Sequence, residues 1–333
     1  MSISLSTLET ALSAAWARKA PLHAEYGAVR LLNASASGTP RLVFELYGQH
    51  ALLYDYGNAL EGNAEHGMMP GGDSLRAAAS RWTREYGWES ISLLDRSRAG
   101  ETERAGNFAL AGEPPEHAIL REEGQPFRVE PRHPRNVGLF LDTRELRHRL
   151  RADAHGQRVL NLFCYTGSLG LAALSGDASE VAQVDVSARY LEWGRENLRL
   201  AGLAEERCRF VRMDSERYLD WAAKKGLRFD RVILDPPVFS RFDGKVFRFE
   251  VDYFRLAAKA ASLLAPGGSL CAVTNYAGIR PATFAAKLSE TLREAGTRAA
   301  PPRRIPLPPD FDLAEDAEEM PEGNAMIFEM RRD

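Results

Sequence analysis

From Arg144 onward, apolar runs of strand length alternate with amphipathic stretches of helix length, and that alternation leaves few folds open. Helices are expected at 144–153, 168–175, 188–201, 215–225, 253–264 and 281–295. Strands are expected at 159–163, 181–185, 208–213, 231–235 and 269–274, with two more, 303–307 and 325–330, near the end. Strands separated by helices pair in parallel through right-handed crossovers, with helices on both faces of the sheet. The last two strands suit an antiparallel hairpin. The fold expected is α/β, with a seven-stranded, mostly parallel, doubly wound sheet.

The earlier part of the chain reads differently. A helix over 4–19 places Leu5, Leu8, Leu12 and Trp16 on one stripe. Residues 29–56 read as two or three short strands broken by Gly38-Thr-Pro40 and Gly48, with further strands at 88–95 and 117–129. A second helix is expected over 73–86, with Asp73 or Ser74 as its N-cap. Gly, Asn and Pro make 57–72 a long loop, and Gly112-Glu-Pro-Pro115 marks another break. A small α+β domain over 1–125, suited to RNA or substrate recognition, is therefore expected before the large sheet domain over 126–333. The 333 residues suffice for two cores.

In an open parallel sheet, ligands bind in the crevice outside the carboxyl ends of the strands. At one such end the chain reads Arg231-Val-Ile-Leu-Asp-Pro-Pro-Val-Phe-Ser240. Pro236 and Pro237 fix a stiff, extended turn. They hold Asp235 where it can accept hydrogen bonds and Phe239 where its ring can meet a flat substrate. Alone, the same residues make a strand, a turn and a capping Asp. Upstream, Arg158 to Ala173 reads as a strand, a Gly-containing turn and a small-residue helix, and the next strand ends at Asp185. An acid about 20 residues past such a turn has the spacing of a ribose contact. Gly167 and Gly170 match the last two glycines of a dinucleotide turn, but Tyr165 stands at the first. That glycine serves the tight turn before a pyrophosphate, so its loss argues against NAD. S-adenosylmethionine has the ribose and adenine without the phosphate, and it fits. Asn161, Tyr165 and Gly167 would then meet its amino acid moiety, Asp185 its ribose, and Asp214 and Met213 its adenine. Plainer readings stand beside these: Tyr165 in the core, and Asp185 and Asp214 as helix N-caps.

These segments resemble the class I S-adenosylmethionine-dependent methyltransferases. More narrowly, they resemble the bacterial large-subunit ribosomal RNA methyltransferases that include the 5-methylcytosine enzyme and the 7-methylguanine domain. Asn136-Val-Gly-Leu-Phe-Leu-Asp-Thr-Arg144 is similar to that family's K-T-G-F-F-L-D-x-R, and Asn161-Leu-Phe-Cys-Tyr-Thr-Gly167 to its N-x-F-x-Y-T-G. Val184-Asp-Val-Ser187 and Asp235-Pro-Pro-Val-Phe239 complete the set in matching order. Tyr26 to Asn33 and Pro40 to Gly48 resemble the hairpin preceding the family's catalytic domain. The resemblance implies cofactor contacts from Phe140, Asn161, Phe163, Tyr165, Thr166, Gly167, Asp185, Ser187, Met213, Asp214 and Asp235. It implies catalytic positions at Asp235, Pro236, Pro237, Phe239 and Asn275.

Two departures bear on the substrate. The 5-methylcytosine relatives carry a cysteine in an S-C-S-G turn after the fifth strand, because C5 methylation needs a covalent thiolate adduct. Here that turn reads Thr274-Asn-Tyr-Ala-Gly278, and Asn275 resembles the S-N-N turn of the 7-methylguanine domain. A nitrogen target is therefore expected. The N-terminal RNA-binding module of the 5-methylcytosine enzyme also finds no room.

The net charge of −3 runs against nucleic-acid binding, which cationic surface drives. Its distribution is uneven, however. Arg128, Arg132, Arg135, Arg144, Arg147, Arg149 and Arg151, with His133 and His148, crowd the approach to the second domain, while acids gather over 310–319. Arg241, Lys245 and Arg248 interleave with Phe242, Phe247 and Phe249, a mixture that suits single-stranded RNA or, equally, a lid with core-anchoring rings. RNA, ribosomal by resemblance, is the expected substrate. A small-molecule N- or O-methyltransferase and a non-catalytic RNA-binding or assembly factor stay open as alternatives. Cys164, Cys208 and Cys271 have neither zinc nor disulfide spacing, so no metal is expected and Cys271 reads as core packing. With no apolar run of membrane-spanning length and no secretory leader, a cytoplasmic monomer or homodimer is expected.

Overall fold

The computed structural model describes residues 3–56, 72–96, 106–313 and 325–332. The expected loop over 57–72 lies outside them except for Gly72, as does the acidic stretch 314–319. The described chain forms two compact units. One is built from residues up to Leu141 together with 308–313, the other from Asp142 to Leu307 together with 325–332.

The first unit contains α1 (Leu5–Tyr26), β1 (Ala28–Asn33), β2 (Leu42–Tyr47), β3 (His50–Asp55), α2 (Gly72–Tyr86), β4 (Ser90–Asp95) and β5 (Asn107–Ala111), followed by a hairpin of β6 (Ala118–Glu122) and β7 (Gln125–Val129). Its five strands lie in chain order, with β3 and β4 parallel and the other neighbours antiparallel. Ser4 caps α1 by accepting from the Thr7 N–H at 3.2 Å. The helix runs past its expected end at Lys19, through Pro21, and stops at Gly27 in the left-handed region. Leu8 and Leu12 of α1, with Ala78 and Trp82 of α2, bury Leu31, Phe44, Leu53 and Leu93 of the sheet.

Strand β1 is an edge, and an uncovered edge invites pairing with another chain. The segment 308–313 covers it as a strap. Asp310 Oδ2 accepts from the Arg30 N–H at 2.7 Å, and the Phe311 carbonyl accepts from Asn33 Nδ2 at 2.5 Å. Lys19 Nζ donates to the carbonyls of Arg30 (3.0 Å), Leu31 (2.9 Å) and Asp310 (2.7 Å) and to Asp312 Oδ2 (2.6 Å). The Arg30 guanidinium lies 4.2 Å from the Phe311 ring and pairs with buried Glu45 at 2.6 Å. Asp310 and Asp312, which read in sequence as surplus acid, are thus members of a largely buried polar network.

The division between the units falls at Leu141/Asp142, not near residue 125. Hydrogen bonds explain the difference. Asn107 Nδ2 donates to the carbonyls of Pro131 (2.6 Å) and His133 (3.2 Å), and the Tyr47 hydroxyl lies 3.1 Å from the Leu139 carbonyl. The arginine run over 128–151 is not one surface. Arg144 and Arg147 are 1% and 0% exposed, Arg147 donates to Thr143 Oγ1 at 2.7 Å, and Arg128 and Arg132 pair with Glu130 and Glu113. Buried guanidiniums cannot meet phosphates.

The second unit alternates α3 (Arg144–Asp153), β8 (Arg158–Leu162), α4 (Ser168–Ser175), β9 (Glu180–Asp185), α5 (Ala188–Leu200), β10 (Cys208–Arg212), α6 (Ser215–Lys224) and β11 (Phe229–Leu234). After β12 (Phe239–Phe242) and β13 (Lys245–Arg248) come α7 (Phe249–Ser262), β14 (Leu264–Thr274), α8 (Pro281–Glu294), β15 (Arg303–Ile305) and β16 (Met326–Arg331). The seven-stranded sheet has the order β10-β9-β8-β11-β14-β16-β15, its first five strands parallel and the last two antiparallel. Alternate residues of each strand face opposite layers: Val159, Ile233 and Cys271 pack with α3 and α4, whereas Leu160, Val232 and Leu270 pack with α6, α7 and α8. This is the expected doubly wound fold. One segment adds to it: residues 239–248, the stretch of interleaved rings and cations, form a β12–β13 hairpin. Asp243 and Gly244 at its tip both take positive φ, +50° and +74°, as a two-residue hairpin turn requires. Among the described residues, no helix is long and apolar enough to cross a membrane.

Candidate active site

Strand order reverses between β8 and β11, so the carboxyl ends of those two neighbours open the crevice of this sheet. Past β8 the chain turns sharply. Phe163, Tyr165 and Gly167 take φ of +55°, +52° and +81°. Left-handed conformations at two non-glycine residues cost about 1–3 kcal/mol each, and they persist where the surroundings over-determine them. Here the Tyr165 N–H donates to Asp185 Oδ2 at 3.0 Å, Gln183 Nε2 donates to the Gly167 carbonyl at 2.9 Å, and Asn197 Nδ2 to the Thr166 carbonyl at 3.2 Å. The Tyr165 ring meets Tyr190 edge-on at 4.5 Å, so Tyr165 is half-buried at the crevice and not a core residue. A Cβ on Gly170 would come within 2.5 Å of Gln183 Nε2, so only glycine leaves room for the amide that pins the turn.

Asp185 ends β9. Its Oδ1 accepts from the Ser187 N–H at 2.8 Å and its Oδ2 from Tyr165. Burial raises its pKa, and these backbone bonds oppose the rise. A carboxylate has about four acceptor positions, so capacity remains for a ribose hydroxyl beyond these backbone bonds. The cap of α5 is Ser187, which accepts from the Tyr190 N–H at 3.3 Å, so Asp185 is left for the crevice. Asp214 does cap α6, accepting from the Arg217 N–H at 3.0 Å through Oδ1. Met213 is half-buried against the apolar layer, and its N–H donates to the Asp185 carbonyl at 3.1 Å. Asn161 lies inside the sheet, 1% exposed, with Nδ2 donating to Gln183 Oε1 at 2.8 Å. It therefore reaches the turn through Gln183. Gln183 itself was missed, although an amide in the middle of an apolar strand is a legible signal.

On the other side of the reversal, Asp235 follows β11. Its surface is only partly covered, but the carboxyl is deep enough that desolvation, with Asp142 adding like charge, pushes its pKa up to about 7. Pro236 is buried and Pro237 exposed, and Phe239 projects from β12 with 52% of its surface free. Phe247, across the hairpin, lies 5.8 Å from Phe163, which ties the hairpin to the turn after β8. Asn275 is exposed just past β14. Phe140 belongs to the first unit and is 41% exposed. Cys271 is fully buried on the α3–α4 side, and burial pushes its thiol up to about 12, far from a nucleophilic thiolate.

A left-handed turn, a half-buried carboxylate at the end of β9 and a second acid at the end of β10 are a donor set that S-adenosylmethionine would fit. Residues 75–327 match the family model described as S-adenosylmethionine-dependent methyltransferase. The chain is 34% identical over 214 residues to ribosomal RNA large subunit methyltransferase I of Aeromonas hydrophila, covering 64% of this chain and 53% of that protein. It is 36% identical over 184 residues to ribosomal RNA large subunit methyltransferase K of Neisseria meningitidis, covering 55% and 51%. The chain thus spans about half the length of these curated relatives. In fold it is similar to the crystal structure of SMU.776 complexed with SAH, with a TM-score of 0.82 at 21% identity over 99% of this chain and 82% of that one. Because the matched span runs from α2 into β16 and takes in both sides of the crevice, the chain belongs to the S-adenosylmethionine-dependent methyltransferases.

Proposed function

We propose that the protein methylates a nitrogen atom of an RNA base, ribosomal RNA first among candidates. The printed names of its curated relatives support the RNA class. One observation carries the choice of nitrogen: the crevice has a carboxyl poised near pH 7, while Cys271, the thiol of β14, is buried away from it. S-adenosylmethionine, when bound, supplies a methyl group activated by a sulfonium. Asp185 and the Phe163–Gly167 turn hold and orient the cofactor. Asp235, ionised, accepts a hydrogen bond from an N–H of the base and aligns the nucleophile, which is most of what an in-line transfer demands. Phe239 offers its exposed face to a base displaced from its stack. Pro236 and Pro237 hold both at fixed separation. Met213 and Asp214 complete the adenine side, Asp214 through the oxygen its helix cap leaves over. Asn275 borders the same opening.

The test is methyl transfer to ribosomal RNA isolated from cells lacking the gene. Label is expected at a base nitrogen, with Cys271→Ser retaining most activity. Label at C5 of a pyrimidine, or a covalent complex with 5-fluoropyrimidine RNA, would overturn the nitrogen reading. The broken arginine run and net charge of −3 favour one competitor, a small-molecule substrate; label in a metabolite extract but not in RNA would establish it. Calorimetry checks the cofactor site: Asp185→Ala should weaken S-adenosylmethionine about tenfold or more, since charge-assisted hydrogen bonds contribute roughly 1.5–3 kcal/mol. NAD should give no heat.

A further inference from the structure

Beyond β14, next to the turn carrying Asn275, lies a cavity of about 280 Å³ between α7 and α8. That is just under the roughly 300–1,000 Å³ of sites for drug-sized ligands, the scale of one planar base and not of an oligonucleotide. Its aromatic wall is Phe254 and Tyr276. The Tyr276 hydroxyl donates to Glu250, and the ring packs 4.6 Å from Phe249, so its orientation is fixed from two sides. Its other wall is cationic. Arg280 stands at the start of α8, and Lys287 lies with Nζ 5.8 Å from the centre of the Phe254 ring. Among the described residues neither cation pairs with a carboxylate; the one acid at the cavity, Glu250, is engaged by Tyr276.

A fixed aromatic face beside unneutralised cations is how proteins hold single-stranded nucleic acid: the ring takes a base, the cations its phosphate. We propose that this cavity binds a nucleotide of single-stranded RNA flanking the target base, stacked on Tyr276 with its phosphate at Arg280 and Lys287. The inference rests on the RNA reading above and deepens it. Strands β11 and β14 are neighbours in the sheet, so the turn after β14 adjoins the Asp235 turn, and a nucleotide held there sits next to the reacting one.

The experiment titrates a short oligouridylate and a short oligoadenylate onto the full chain loaded with S-adenosylhomocysteine, across a range of salt. Wild type is expected to bind with a steep log–log salt slope. Arg280→Ala/Lys287→Ala should flatten that slope by about 0.7, the share of the one phosphate the two cations hold together. Tyr276→Ala should weaken binding about tenfold at an unchanged slope. A Lys224→Ala/Lys225→Ala control at the C-terminal end of α6 should behave as wild type. S-adenosylhomocysteine affinity reports folding in every variant; if Tyr276→Ala loses it, the cation pair decides alone. Equal slopes for wild type and Arg280→Ala/Lys287→Ala, or an equal flattening in the α6 control, overturn the subsite and leave the RNA reading standing. A wild-type protein that binds S-adenosylhomocysteine but neither oligonucleotide at low salt overturns the RNA reading, and the subsite with it.

Discussion

Asp235→Ala is expected to slow methyl transfer by about two to four orders of magnitude, the usual range for a positioned acid–base group, with cofactor affinity nearly unchanged. Asp235→Asn separates the roles of the carboxyl. It keeps an oxygen acceptor but cannot titrate. The wild-type rate should climb as pH rises through about 7, where Asp235 ionises and begins to accept, and that limb should vanish in the Asn variant. Stability provides an independent reading. The folded-state pKa is raised above the ordinary 3.8, so between those values the native protein binds the proton that the unfolded chain has released. Stability from this group therefore falls as pH rises through that window, and above it a buried carboxylate remains as a cost. Asp235→Asn should accordingly melt higher than wild type above pH 7 and level with it at the acid end. A wild-type profile flat through pH 7, or an active alanine variant, would remove Asp235 from the reaction.

Lys19→Ala is expected to destabilise the first unit by about 3–5 kcal/mol, because it strips a buried cation from Asp312 and from three carbonyls at once. Whole-domain stabilities are only about 5–15 kcal/mol, so much of the unit's margin would go. Trp16, Trp82 and Trp88, three of the five tryptophans, pack in that unit's core, so tryptophan fluorescence during urea unfolding is weighted toward it. An early transition is expected in the variant. Asp312→Asn, which keeps an acceptor for the ammonium, should cost less. If both variants unfolded at the wild-type midpoint, the network would be ornamental.

The second unit was legible because strands buried on both faces leave apolar runs, and the intervening helices leave a different period. The strand-end acids Asp185 and Asp235 were legible for the same reason: each follows such a run. The β12–β13 hairpin was legible and overlooked. Phe242-Asp-Gly-Lys245 carries the dipeptide that a two-residue turn prefers, but its alternating rings and cations drew the reading toward a lid. The burial of Arg144 and Arg147 was beyond local pattern, since nothing in a run of arginines distinguishes those that point inward. The strap was less legible still: Lys19 and Asp312 are 293 residues apart, and no periodicity links them.

That separation has a consequence for how the protein is made. Domains of multidomain chains commonly fold as units, N-terminal first, while synthesis continues. Here Lys19 and Arg30 wait for partners that leave the ribosome only when Asp310 and Asp312 are translated, after most of the second unit. Until then the β1 edge is open and a cation is unmatched beside it. The first sheet to be synthesised therefore stays incomplete until nearly the end of the chain has been made, and a nascent chain stalled before residue 308 presents an unprotected strand.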